Sequence, residues 1–157
     1  MSDLFHADAD AVAQAPTPTG ALTDAARPED GTDRARRRAR VLIIDDEPLV
    51  ATAIRRSIMA QHDVTVVMSG HDALRRFADG ESYDVVFCDV MMPELTGVEL
   101  YQRMESCAPE HLPRLVFLTG GASSDSGRAF LDRPDITFIE KPFTKAELLA
   151  AITAKTC

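Results

Sequence analysis

A chain of 157 residues with 45% hydrophobic side chains and a formal net charge of −8 is long enough for one domain with a real core and too short for two comfortable ones. No apolar run approaches the roughly 20 residues of a membrane span, and residues 1 to 10 carry acids where a secretory signal has a basic and then an apolar region, so the expectation is a cytoplasmic protein with no membrane partner. Three cysteines (Cys88, Cys107, Cys157) without a C-x-x-C pair imply reduced thiols, and four scattered histidines without ligand spacing exclude a zinc site.

Residues 1–40 are rich in Ala, Asp, Pro, Thr and Gly and poor in large apolar side chains. Such a segment cannot bury enough surface to offset its ordering entropy, and it reads as a disordered N-terminal extension. It ends in a dense basic run, Arg34, Arg36, Arg37, Arg38 and Arg40, read as a solvated lead-in to the first strand in preference to a nucleic-acid contact. The folded domain is expected over 41–157. It holds 11 basic and 18 acidic side chains, a net −7, which argues against nucleic-acid binding by the domain itself.

Val41 to Ile44 is a continuous apolar run, as expected for a strand covered on both faces. It ends in Asp45-Asp46-Glu47, and Pro48 suits the first turn of a helix whose apolar positions Val50, Ile54 and Ile58 recur at helical spacing. Val64–Met68 reads as the second strand. Ser69 with Asp72 opens a second helix with Ala73, Leu74 and Phe77 on its buried stripe, closed by Gly80. Tyr83–Asp89 is the third strand. Thr96 and Glu99 form a capping-box pair for a helix to about Ser106. Leu115–Thr119 is the fourth strand, followed by a small-residue loop to Ser124 and a short helix over Asp125–Leu131. Ile136–Ile139 is the fifth strand, and Thr144 with Glu147 caps a last helix carrying Leu148, Leu149 and Ile152. Strand and helix alternate five times with short connections, which predicts a parallel α/β sheet with helices on both faces.

In a parallel sheet the carboxyl ends of all strands share one edge, the usual place for a ligand site. Here that edge collects Asp45 and Asp46 from the first strand, Asp89 from the third, Thr119 from the fourth and Lys141 just after the fifth. Three clustered carboxylates repel one another unless a cation relieves them, and Mg²⁺ commonly takes one or two carboxylates together with waters and phosphate oxygens. With Mg²⁺ and Lys141 supplying positive charge, the site can hold a transferring phosphoryl group, because such transfer needs positioning and charge neutralisation above all. Asp89 is then the carboxylate that accepts it, giving an aspartyl phosphate, and Thr119 can donate to a new phosphate oxygen.

Residues 41–155 resemble the receiver domain of two-component response regulators, on the strength of Val41-Leu42-Ile43-Ile44-Asp45-Asp46-Glu47, Cys88-Asp89-Val90-Met91-Met92-Pro93, Phe117-Leu118-Thr119-Gly120 and Glu140-Lys141-Pro142-Phe143. The Thr-Gly-Gly-Ala segment looks most like receivers of hybrid histidine kinases. The resemblance implies a flavodoxin-like, doubly wound five-stranded sheet in the order 2-1-3-4-5. It implies a phosphoacceptor protein that is not itself an enzyme, phosphorylated on Asp89 by a histidine kinase or histidine phosphotransfer protein. Asp46 would ligate Mg²⁺ directly, Asp45 through water, and Asp89 and the Met91 carbonyl would complete the set. Lys141 would pair with the phosphoryl oxygens across a Lys141–Pro142 peptide that is often cis. Thr119 would move toward the phosphate and Phe138 would turn inward as the switch aromatic, reshaping the face of the fourth helix, fifth strand and fifth helix for an unknown protein target. A plain core side chain is an equal reading of Phe138, since an aromatic in a half-buried strand needs no functional reason. Met91 and Gly121 would flank the path of an attacking water without activating it, so slow self-dephosphorylation is expected.

With only Lys155-Thr156-Cys157 after the last helix, the chain reads as a stand-alone receiver. Two rivals come from other classes. A phosphorylation-independent interaction module would keep the fold without the chemistry, and the intact acidic triad, Thr119 and Lys141 speak against it. A haloacid-dehalogenase-like phosphatase would place a second Asp two residues past the nucleophile, where this chain has Met91.

Overall fold

The computed structural model describes residues 37–121 and 124–157. The expected disorder of the N-terminal extension therefore concerns residues that lie, up to 36, outside the described ones. Five strands, β1 Arg40–Ile44, β2 Asp63–Val67, β3 Val85–Asp89, β4 Leu115–Thr119 and β5 Phe138–Glu140, alternate with five helices, α1 Pro48–Ile58, α2 Gly70–Ala78, α3 Gly97–Cys107, α4 Asp125–Leu131 and α5 Lys145–Thr156. A 3₁₀ turn, Pro109–Arg114, links α3 to β4. All strand pairs are parallel, and the sheet runs β2-β1-β3-β4-β5, so the expected order and class hold.

The apolar strands serve two layers because successive side chains point to opposite faces. Leu42, Ile44, Val86, Cys88, Leu115 and Phe117 pack with Ala73 and Phe77 of α2, Leu100, Tyr101 and Met104 of α3, and Phe130 and Leu131 of α4. Val41, Ile43, Val85, Phe87, Val116 and Leu118 pack with Ala51, Ile54 and Ile58 of α1 and Leu148 and Ile152 of α5. Strands β1, β3 and β4 are central and almost wholly buried, which is why they read as unbroken apolar runs. The outer strands β2 and β5 are only partly buried.

The expected caps form. Ser69 accepts from the Asp72 amide, and Thr96 with Glu99 and Thr144 with Glu147 close full capping boxes. Helix α1 has no side-chain cap and starts on Pro48, whose missing N–H is one of the unpaired donors of a helix start in any case.

The strand limits differ from expectation at the edges of the sheet. The fifth strand begins at Phe138 instead of Ile136, because the Ile136 amide donates to the Arg133 carbonyl in a turn and Ile136 packs into the α2–α4 layer. The ordered contacts also start before Val41. Arg40 is the first residue of β1, Ala39 is buried, and Arg37 and Arg38 pair with Asp84 and Asp63. His111, unremarkable in sequence, is 3% exposed and stacks on Phe77 with ring centroids 4.4 Å apart.

Candidate functional site

Helix α1 follows β1 after three residues, α3 follows β3 after seven, and the β4–α4 and β5–α5 loops open at the same edge of the sheet. This parallel geometry brings Asp45, Asp46, Asp89, Thr119 and Lys141 to one rim. Asp45, Asp89 and Thr119 are buried, at 0%, 3% and 1% exposure, and Asp46 is half-buried. One oxygen each from Asp45, Asp46 and Asp89 lies within 4.8 Å of the others.

The ammonium of Lys141 reaches over this cluster. Its Nζ donates to Asp89 Oδ1 at 3.2 Å and stands 3.8 Å from Asp45 Oδ2, an ion pair too long for a hydrogen bond. The Lys141–Pro142 peptide is cis, and the Lys141 amide donates to the Thr119 carbonyl at 2.7 Å. The Glu47 amide donates to Asp45 Oδ1 at 2.8 Å, which fixes that carboxylate and leaves its other oxygen for the pocket. Asp45 Oδ2 and Asp46 Oδ1 are buried without a hydrogen-bond partner. Buried acceptors are normally paired, so two such oxygens beside a third carboxylate fit a hard divalent cation held by oxygen ligands.

Burial pushes the Asp45 carboxyl up from 3.8 to about 6, and the neighbouring Asp89 adds to the shift, while the Glu47 amide and Lys141 pull against it. Burial likewise raises Asp89, and Lys141 and the Met91 amide oppose it. Both shifts are the signature of negative charges crowded in a low-dielectric site. The Cys88 thiol beside them is buried and pushed up by the same desolvation and by the two aspartates, so it stays neutral.

A close approach shapes the Asp89 loop. A Cβ on Gly97 would stand 2.7 Å from the Asp89 carbonyl and 3.0 Å from Val90 Cα, so only glycine lets the first turn of α3 press against the end of β3. The Gly97 amide donates to the Val90 carbonyl at 3.0 Å. Between them the Leu95 amide donates back to the Pro93 carbonyl at 2.7 Å, and Glu94 sits at φ 65°, an uncommon conformation for a residue with a Cβ. Met91 faces outward at 57% exposure.

The β4–α4 loop starts with Thr119, whose Oγ1 accepts from the Gly121 amide at 3.1 Å. Ser124 accepts from the Gly127 amide and opens α4, a cap that sequence reading passed over although Ser followed by Asp is an ordinary signal for one. Phe138 lies at the outer edge of β5, 39% exposed and in neither core layer. The plain-core reading of this side chain is therefore wrong, because its strand is the sheet edge.

The arrangement is a cation-ready acid pocket with an ammonium beside one carboxylate, on a 2-1-3-4-5 sheet. The family model described as the response regulator receiver domain matches residues 41–153. The chain belongs to the response regulator receiver family. A response regulator MprA from Mycolicibacterium vanbaalenii is 36% identical over 116 residues, 73% of this chain and 49% of that protein, and one from Mycobacterium ulcerans is 35% identical over the same shares. The chain thus spans about half the length of the curated relatives it matches.

Among solved structures, the receiver domain of Francisella response regulator 1452 superposes with a TM-score of 0.63 at 25% identity, covering 75% of this chain and 96% of that one. The Vibrio cholerae chemotaxis protein CheY4 gives 0.62 at 26%, with 75% and 98% covered. Receiver domains bind Mg²⁺ at an acidic pocket, and this receiver has the Asp cluster for it. The family works with histidine kinases or phosphotransfer proteins and is in general a signalling, non-enzymatic one. No described helix is long and apolar enough to cross a membrane.

Proposed function

We propose that this receiver takes a phosphoryl group on Asp89 from a histidine kinase or histidine phosphotransfer protein and passes the signal on by a change at its α4-β5-α5 face. The observation that carries the reading is the Asp89 carboxylate. It is buried at a strand end, held by Lys141 at 3.2 Å, and set beside two buried carboxylate oxygens with no hydrogen-bond partner. Asp45, Asp46, Asp89 and the Met91 carbonyl are the groups that would hold Mg²⁺. When bound, the ion supplies charge neutralisation for the phosphoryl oxygens.

Each remaining part follows from this chain's own residues. The Asp89 carboxylate attacks phosphorus, a new P–O bond forms, and the P–N bond to the donor imidazole breaks with its electron pair returning to nitrogen. Lys141 neutralises an equatorial oxygen in the loose transition state, where positioning and charge matter more than covalent help. The Thr119 hydroxyl oxygen accepts from the Gly121 amide, and among the described residues its proton has no acceptor. A phosphoryl oxygen on Asp89 gives that proton an acceptor, which biases the β4–α4 loop toward the site. Phe138, exposed at the start of the adjacent strand and in register with Phe117, is the aromatic whose inward turn would accompany that shift.

Intact mass after incubation with Mg²⁺ and acetyl phosphate tests the reading. Addition of one phosphate to the wild type and none to Asp89→Asn is the expected result. A folded wild type that binds Mg²⁺ and gains no mass would sink it and favour a phosphorylation-independent interaction module.

A further inference from the structure

The arginine run is the one sequence motif that phosphoryl chemistry leaves unused. The structure places its described end at the edge of the sheet opposite the acid pocket. The Arg38 guanidinium sits in a cage of acceptors, donating to the carbonyls of Met59 at 2.8 Å, Ala60 at 3.2 Å and His62 at 2.9 Å and to Asp63 Oδ1 at 2.8 Å. Met59 and Ala60 close α1, so this cation satisfies carbonyls that the helix end leaves unpaired. The next residue, Ala39, is buried, and its amide donates to His62 Nδ1 at 3.3 Å while its carbonyl accepts from the Asp63 amide at 2.9 Å. On the far side Arg37 pairs with Asp84 at 3.7 Å, and the Arg40 amide donates to Asp84 Oδ2 at 2.8 Å.

An imidazole nitrogen accepts a hydrogen bond only while it carries no proton. We propose that residues 37–39 form a proton-gated clamp, held by neutral His62 and released when His62 is protonated. A proton on Nδ1 would set two donors, His62 Nδ1–H and Ala39 N–H, against each other, and would place a second cation beside Arg38. The charged groups acting on the ring are Arg38 from the clamp and Asp63 from β2, and the end of α1 meets His62 through the Ile58 carbonyl, which accepts from the His62 amide at 3.0 Å. Burial, with Arg38 behind it and Asp63 opposing, holds His62 below the ordinary imidazole value of 6.5. The clamped state therefore binds the proton less readily than the released one, and the clamp weakens as the pH falls below that value. The gate acts on residues 37–39 at this edge, remote from Asp89.

The test is ¹⁵N NMR of the full chain from about pH 7.5 to about pH 5, the range over which histidine changes charge. His62, the Ala39 amide and the Arg38 Nε–H should shift with one common midpoint. Protection of the Ala39 amide should fall as the pH drops from 6.5 toward that midpoint, approaching about tenfold per pH unit as for release linked to one proton, while the Leu42 amide in the sheet centre keeps its protection. His62→Asn keeps an acceptor oxygen near the place of Nδ1 without a titrating group and should hold Ala39 at every pH. The proposal is overturned if His62 titrates while Ala39 and Arg38 do not respond. It is equally overturned if His62→Asn shows the same pH dependence, or if Leu42 loses protection together with Ala39, which would mean global unfolding.

Discussion

Replacing Asp45 by Asn should stabilise the metal-free protein at neutral pH. The carboxyl titrates near 3.8 in an unfolded chain and at about 6 in the folded one, with burial as the largest cause. A group raised on folding contributes stability that is fully present below its unfolded value and lost as the pH rises through the folded one. At pH 7 the ionised Asp45 therefore costs the fold the free energy of a shift of about two units, on the order of 3 kcal/mol. Asparagine keeps an oxygen for the Glu47 amide at 2.8 Å and carries no charge toward Asp89, so it escapes most of that penalty. Urea unfolding in EDTA should show the variant's midpoint above the wild type's by about 1 to 2 M at pH 7, from an ordinary urea slope for a small domain. The gap should close toward pH 4, where the wild-type carboxyl is protonated in the folded state. Adding Mg²⁺ should narrow it from the other side, because the cation stabilises the protein whose pocket binds it better. An Asn variant less stable than the wild type at pH 7 in EDTA, or a gap that ignores pH, would refute the reasoning.

Gly97→Ala should destabilise by about 1 to 3 kcal/mol, the usual range for overpacking. Its Cβ would meet backbone at 2.7 and 3.0 Å and the buried Phe117 ring at 3.3 Å, and a parallel mass assay should show slower phosphorylation because Asp89 itself must shift. A Gly97→Ala protein with unchanged urea midpoint would show that the α3 start is free to move away. Glu94→Gly should gain about 0.5 to 1 kcal/mol by relieving the left-handed backbone at φ 65°, after the larger unfolded-state entropy of glycine is set against it; a loss relative to Glu94→Ala would contradict this. Met91 is exposed and apolar and Gly121 has no side chain, so neither has a side chain that activates a water, and the aspartyl phosphate should outlast seconds in Mg²⁺. A half-life of seconds, measured by intact mass after donor removal, would count against that.

The fold class and the acid pocket were legible in the sequence because both follow from local pattern and parallel topology. Val41–Ile44, Val85–Cys88 and Leu115–Leu118 are unbroken apolar runs since each is covered on both faces, and a residue just past such a run can only emerge at the sheet's carboxyl edge. Asp45, Asp89, Thr119 and Lys141 were therefore predictable as neighbours before any distance was known. Capping pairs such as Thr96 with Glu99 also read correctly, because a cap is a contact within four residues.

Tertiary structure decided what depends on contacts between distant segments. That Gly97 meets the Asp89 carbonyl, that Phe138 lies outside the core, and that Arg38 reaches the end of α1 across more than twenty residues are facts of packing. An arginine run looks the same in sequence whether it is solvated or caged. Only the fold supplied the three carbonyls, the carboxylate of Asp63 and the neutral imidazole of His62 that make it a clamp. Local sequence encodes which groups a strand end presents. The partners those groups meet are chosen by the packing of elements far apart in the chain, because hydrogen bonds and burial act at a few ångströms regardless of sequence separation.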